Sequence, residues 1–437
     1  MRADLVSPSA AHLSYAIRDI VKFGELVRQH GLDITWENIG DPVAKGESIE
    51  PWIRQICHDV VDRDESWGYC PTEGFDEARE ALAAHVNERP GARVSPADII
   101  FFNGVADAVA KVYGFLSPHA RVIGPSPAYS THSSAESAHC ALPHITYDLD
   151  PSNGWLPDLE DLRHKIETHP SIAGILIINP NNPTGAVYPV EVLEKIVALA
   201  REFGLFLIAD EIYVHMVYPG LDTAHLSEVA PDVPAIVMRG ISKELPWPGS
   251  RCGWIEVLNR SRDQNFSAYV DSLVAAKRLE VCSTSGPQLV VPRVFGDPRY
   301  AAHLSRRAQM FADRAEEAYA ALSPVEGVKV HKAQGAFYMT VLFEPGVLSG
   351  NSKLPITSPD LRDVVERQCK GAAPDWCFVY RLLGSKGICV VPLTGFYTPH
   401  PGFRFTLLET DDAKRAWIFR TLAEALEEYL TTGEVAA

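Results

Sequence analysis

Along residues 98–257, short and nearly continuous apolar runs alternate with longer segments in which apolar positions recur every three to four residues. The runs are DIIFF, ARVIG, GILIIN, LFLIAD, AIVMRG and CGWIEV. They are too short for helices and lack polar alternation, so they predict strands buried on both faces. Between two of them, VEVLEKIVALAREFG has the helical period, and its closing Gly204 is a helix stop. Strand and helix in alternation predict an α/β fold, with a mostly parallel sheet covered by helices. After about residue 300 the rhythm changes. AAHLSRRAQMFADRAEEAYAALS predicts one long helix, and GAFYMTVLF and GICVVP then read as strands of a smaller α+β domain. The expected division is residues 49–305 for the large domain and 306–437 for the small one, with residues 1–48 an amino-terminal segment belonging to the latter. From Pro345 to Trp376 the pattern is weak, and its proline, glycine and serine content predicts a surface excursion.

A chain of 437 residues, 46% hydrophobic and 22% charged, can bury a large core and a second, smaller one. The net charge of -16 argues against a nucleic-acid partner or a polybasic membrane patch, both of which need clustered positive charge. The start, MRADLVSPSAAHLSYAIRDIV, has no apolar core of a signal peptide, and runs such as GILII are too short to cross a bilayer, so a cytoplasmic location is expected. Eight cysteines form no CxxC pair and no Cys/His metal spacing. They are expected to be reduced packing residues, with no metal site.

Open α/β sheets hold ligands at the carboxyl ends of their strands, which directs attention to the residues that follow each run. After DIIFFN, a helix begins at once, so Gly104, Val105 and Ala106 are expected to offer free backbone N–H groups to an anion. After GILII comes NPNNPTG, residues 179–185, in which Asn182 precedes Pro183 across a bond that tolerates the cis form. After LFLIA comes DEIY, with Asp210 at the end of an apolar strand and Tyr213 three residues on. A carboxylate at that depth needs a cation or a donor. Then comes GISKELPWPGSRCGW, which carries Ser242, Lys243 and, eight residues past the lysine, Arg251. Pro246 and Pro248 exclude a regular helix here and predict a loop of fixed shape. One ligand satisfies every one of these groups: a flat cationic nitrogen ring carrying an aldehyde and a phosphate. Pyridoxal 5'-phosphate needs a lysine to condense with its aldehyde and a carboxylate for its ring nitrogen. It also needs donors for its ring oxygen, and an arginine with a helix N-terminus for its phosphate.

NPNNPTG, ADEIY and SK followed by GSRCG, in that order, give the chain a close resemblance to the fold type I pyridoxal-phosphate aminotransferases of class I/II, over nearly its whole length. The resemblance implies that Lys243 is the Schiff-base lysine and that Asp210 pairs with the pyridine nitrogen. Asn182 and Tyr213 would hydrogen-bond the ring oxygen, and Tyr129, in PSPAYS, would stack on the ring. Gly104, Val105, Ala106, Ser242 and Arg251 would hold the phosphate. Tyr69, in GYCPTEG, matches a tyrosine that reaches the phosphate of the neighbouring subunit, which implies a homodimer with shared active sites. Gly40, in NIGDP, matches a glycine that closes over substrate, and Arg404, in HPGFRFTLLE, an arginine that binds the substrate α-carboxylate alongside Asn182. The segments SYAIRDIV, GYCPTEG, FFNGVADAV, GWLPDLEDLRHKI and IINPNNPTGAVY are similar to those of glutamate-pyruvate (alanine) aminotransferases, and Tyr15 and Arg18 fall where those enzymes have residues near the substrate. The implied reaction moves an amino group between an L-amino acid, glutamate or alanine-like, and a 2-oxo acid. ELPWPGS after the lysine and the 345–376 stretch depart from that pattern. The same cofactor set also serves lyases that break carbon–sulfur bonds or form cyclopropanes. A sensing module of a transcription regulator is disfavoured by the acidic charge, and no GxSxG or GxxxxGK[ST] string is present.

Overall fold

The apolar runs condense into one eight-stranded sheet in a computed structural model that describes residues 5–13, 16–349 and 352–434. In spatial order its strands are Ile99–Phe102, Gly253–Leu258, Ala235–Gly240, Phe206–Asp210, Ile172–Ile178, Arg121–Ser126, Thr146–Asp150 and Leu156–Pro157. Gly253–Leu258 runs antiparallel to both neighbours and Leu156–Pro157 to its one neighbour, while the remaining pairs are parallel. The continuous apolar runs arise because side chains alternate between two cores. Ile99 and Phe101 enter the core covered by helices Asp76–Asn87, Val190–Phe203 and Ser285–Phe295. Ile100 and Phe102 enter the one covered by Val105–Gly114 and Gln264–Arg278. Thr146–Asp150 escapes the sequence pattern because its sequence, TYDLD, buries only alternate positions.

A second, antiparallel sheet of four strands follows in the order Val328–His331, Tyr338–Phe343, Gly402–Thr406, Val391–Pro392. The run GICVVP divides between it and Ile388–Cys389, which pairs in parallel with Thr35–Trp36 near the amino terminus. The Ala16–Gln29 helix packs on Pro374–Lys386, with the rings of Phe23 and Tyr380 4.7 Å apart. The 23-residue helix Tyr300–Leu322 runs unbroken through residue 305.

The 345–376 stretch is not a surface excursion. Its helix Pro359–Cys369 packs against Pro374–Lys386, and Leu354, Ile356, Leu361 and Val365 are buried. Two of its four prolines, Pro359 and Pro374, stand at the first position of a helix, where no N–H is needed, and Ser358 caps the first by accepting from Leu361 N. Among the described residues the eight cysteines are free, and no helix is long and apolar enough to cross a membrane. Glu136, His139 and Cys140 place ligand atoms within 4.8 Å of one another, but the Glu136 carboxylate is already gripped by the Arg121 guanidinium.

Candidate active site

Strands Ile172–Ile178, Phe206–Asp210 and Ala235–Gly240 end at one cavity, whose wall includes Tyr129, Asn182, Asp210, Tyr213, Ser242 and Lys243. Val105, Ala106 and Arg251 line one end of it, and Gly40, Arg18 and Arg404 the other. Tyr69 lies elsewhere and is 85% exposed. Tyr15 falls outside the described residues.

Lys243 does not sit on a loop. It belongs to a single helical turn, Ile241–Glu244, closed by Leu245 N donating to Ile241 O at 3.2 Å. The two prolines limit the turn to four residues and then lead into a 3-10 turn at Pro248–Ser250. The Lys243 Nζ donates to Gly40 O at 2.6 Å and lies 5.5 Å from the Phe337 ring centre. Burial pulls its pKa down to about 8; Asp41 opposes this, Arg404 and Arg251 add to it, and Asp210 opposes it more weakly.

Asp210 ends its strand with the carboxylate turned to the cavity. Its Oδ1 accepts from Ile212 N at 3.1 Å, and its Oδ2 lies 3.1 Å from His132 Nε2. His132 is fully buried in helix Ser130–Cys140, and sequence reading missed it. No sequence signal marked it, since a lone histidine in a polar helix reads as a packing residue. Tyr213 Oη donates to Tyr338 Oη at 3.1 Å.

At the far end, Gly104 adopts φ +83°, and a Cβ there would lie 2.4 Å from Arg251 Nη2. Glycine is required on both counts. Arg251 itself is left-handed at φ 49°, and its guanidinium donates to Pro248 O at 3.1 Å and Asn103 O at 3.2 Å. Contrary to expectation, the Gly104 N–H is not free, since it donates to Phe102 O at 2.8 Å. The first-turn donors facing onward are therefore those of Val105 and Ala106, because the turn closes from Asp107 N and Ala108 N to Gly104 O.

Arg404 is fully buried on strand Gly402–Thr406. It donates to Asn182 Oδ1 at 3.1 Å and to Asn38 O, and its guanidinium packs 4.3 Å from the Tyr338 ring centre. A Cβ on Gly40 would lie 2.0 Å from Tyr338 Oη, so only glycine lets residues 38–41 pass this close. Arg18 stands exposed at the cavity mouth. Among the described residues the cis bonds are Asn179–Pro180 and Ser126–Pro127, not Asn182–Pro183. The two Asn-Pro bonds look alike in sequence; Asn181 Oδ1 instead spans Pro183 by accepting from Thr184 N and Thr184 Oγ1.

The family description "Aminotransferase class I and II" matches residues 39–417. The chain belongs to that family. It is 52% identical, over 99% of its length and 100% of the relative's, to an uncharacterized aminotransferase of Methanocaldococcus jannaschii. It is 30% identical to the glutamate-pyruvate aminotransferase AlaA of Escherichia coli K12, over 76% of this chain and 81% of that one. Among solved structures, an aminotransferase from Escherichia coli superposes with a TM-score of 0.84 at 27% identity, covering 98% of this chain and 99% of that one. The protein is thus an enzyme, an aminotransferase of fold type I, and the lyase alternative is set aside. In this aminotransferase the ELPWPGS departure turns Glu244 away from the cavity, into a buried contact of 2.6 Å with His215 Nδ1.

Proposed function

We propose that this aminotransferase holds pyridoxal 5'-phosphate on Lys243 and exchanges amino groups between glutamate and a small 2-oxo acid of the pyruvate type. The observation that carries the reading is that one cavity joins a buried amine, a buried carboxylate and, past Gly104, a guanidinium beside a helix N-terminus. That donor set fits the cofactor, and the missing side chain at Gly104 lets the Arg251 guanidinium lie against the helix N-terminus, where a phosphate would meet both. Val105 N, Ala106 N, Ser242 and Arg251 would hold that phosphate, with Gly104 giving access. Asp210, oriented by His132, would keep a proton on the ring nitrogen. Asn182 and Tyr213 would meet the ring oxygen, and Tyr129 the ring face.

When bound, the cofactor supplies a sink for the electrons left as the α-proton departs. The proton itself is moved by Lys243, whose lowered pKa makes its free amine a competent base near neutrality. Arg404, already held by Asn182 and Asn38 O, would take the substrate α-carboxylate. The exposed Arg18 would pair with the distal carboxylate of glutamate and swing to solvent for alanine. The glutamate-pyruvate activity in the name of AlaA supports this choice of substrate.

Assembly is part of the reading. Trp67 and Leu279 are 78% and 87% exposed, and Tyr69 stands beside them on a surface where Thr72 Oγ1 donates to Val281 O at 2.9 Å. A second copy of the chain would cover this patch and receive Tyr69 at its phosphate. Residues 49–305 would then carry the cofactor, while 306–437 with 1–48 close on it, in a cytoplasmic homodimer. The test is to mix purified enzyme with single amino acids and follow conversion of the cofactor to its amine form. Glutamate and alanine should both convert it, and Arg18→Ala should slow glutamate selectively, by about tenfold or more. Failure of both amino acids in the unaltered enzyme contradicts the substrate reading.

A further inference from the structure

Arg307 stands between the lysine turn and the segment that roofs the cavity. It lies on helix Tyr300–Leu322 and is 5% exposed. One guanidinium nitrogen donates to Lys243 O and, at 3.2 Å, to Glu244 O. The other two fork onto Glu47, with Nε 2.7 Å from Oε1 and Nη2 2.9 Å from Oε2.

A four-residue turn has too few internal hydrogen bonds to hold itself, and Pro246 and Pro248 add no N–H beyond it. Its end is therefore fixed from outside. Arg307 caps the Lys243 and Glu244 carbonyls, His303 Nε2 donates to Glu244 O at 2.8 Å, and His215 grips the Glu244 side chain. Residues 38–47 form the roof: Asn38 O receives Arg404, and Gly40 O receives Lys243. Asp41 Oδ1 caps the turn Val43–Lys45 by accepting from Val43 N at 3.0 Å and Ala44 N at 3.3 Å. Behind, the roof is tied to the small-sheet side, where Thr406 N donates to Glu37 O at 3.0 Å and Thr410 Oγ1 to Lys45 O at 2.9 Å. Toward the lysine turn it is tied at Glu47.

We propose that Arg307 is a positioning residue whose fork on Glu47 seats the roof on the lysine turn, so that Gly40 O meets Lys243 and Asn38 O meets Arg404 together. The inference rests on the reading of Lys243 and Arg404 as cofactor and substrate residues. A lysine at position 307 could not span Glu47 and the turn carbonyls at once, because its donors all leave one nitrogen whereas the guanidinium spreads them over three.

Glu47→Gln tests the coupling without touching the lysine turn. Of the charged groups facing Lys243, Asp210, Arg251 and Arg404 stay in place in this variant, while Asp41 moves with the roof. In the full chain freed of cofactor, the rate at which an amine-directed acylating reagent labels Lys243 should be half-maximal near pH 8. In Glu47→Gln that midpoint should rise, because relief of burial, the largest cause of the lowered pKa, outweighs the loss of Asp41 as the roof lifts. In the loaded enzyme, the KM of amino-acid substrates should rise about tenfold with kcat within about twofold. Arg307→Lys, which also loses the caps on the turn carbonyls, should have at least as large an effect, and the double variant should be no worse than Arg307→Lys. A midpoint and KM unchanged from the parent, with only the melting temperature lowered, would overturn the proposal, as would additive effects in the double variant. Should borohydride fix the cofactor to another lysine while the Glu47→Gln midpoint still shifts, the coupling stands and the assignment of Lys243 falls.

Discussion

A lysine that must act as a nucleophile and a base near neutral pH has to lose its proton more easily than an ordinary lysine, and the surroundings of Lys243 arrange this chiefly by removing water. The sign follows from the desolvated ammonium: its pKa falls to about 8, so the reactive neutral amine dominates above that pH and is titrated away below it. Recapture of the cofactor by cofactor-free protein should therefore reach a plateau above about pH 8 and slow about tenfold for each unit below it. A rate still climbing at pH 10, measured by the return of the cofactor's absorbance, would mean an unperturbed lysine. At this scale sequence reading picked out residues that the fold gathers at one cavity, among them Lys243, Asp210 and Arg251. It was silent on His132 and Tyr338, because an isolated histidine in a polar helix and a tyrosine in an apolar strand look like packing residues until the fold brings them to Asp210 and Tyr213.

Single elements matter through their ends. The turn before helix Val105–Gly114 lets the Arg251 guanidinium lie against backbone only because residue 104 has no side chain. Gly104→Ala should add strain at φ +83° and push the guanidinium aside, raising the cofactor dissociation constant at least about tenfold while the protein still folds. Equilibrium dialysis of the variant against cofactor checks this. The elements read from sequence were those whose pattern is set by burial on two faces, such as Ile172–Ile178. Those missed were set by partners far along the chain: Thr146–Asp150 extends the sheet with polar alternate positions, and Gly402–Thr406, which carries Arg404, is defined by pairing with Tyr338–Phe343. The helix Pro359–Cys369 was misread because proline at a helix start and proline in a loop leave the same mark in sequence.

For the whole molecule, the proposed homodimer would tie assembly to the site through the exposed Trp67, Tyr69 and Leu279. Leu279→Asp should raise the dimer dissociation constant at least about thirtyfold, seen by sedimentation, and loosen the cofactor as well, because Tyr69 would no longer reach it across the interface. A monomeric variant that keeps its cofactor as tightly as the parent would contradict shared sites. The central claim, that this aminotransferase carries its cofactor on the turn between Ile241 and Glu244, is tested most directly by reducing the loaded enzyme with borohydride, digesting it and locating the added mass. The mass of the reduced cofactor should appear on the peptide containing Lys243 and be absent from Lys243→Ala; finding it on any other lysine would contradict the account.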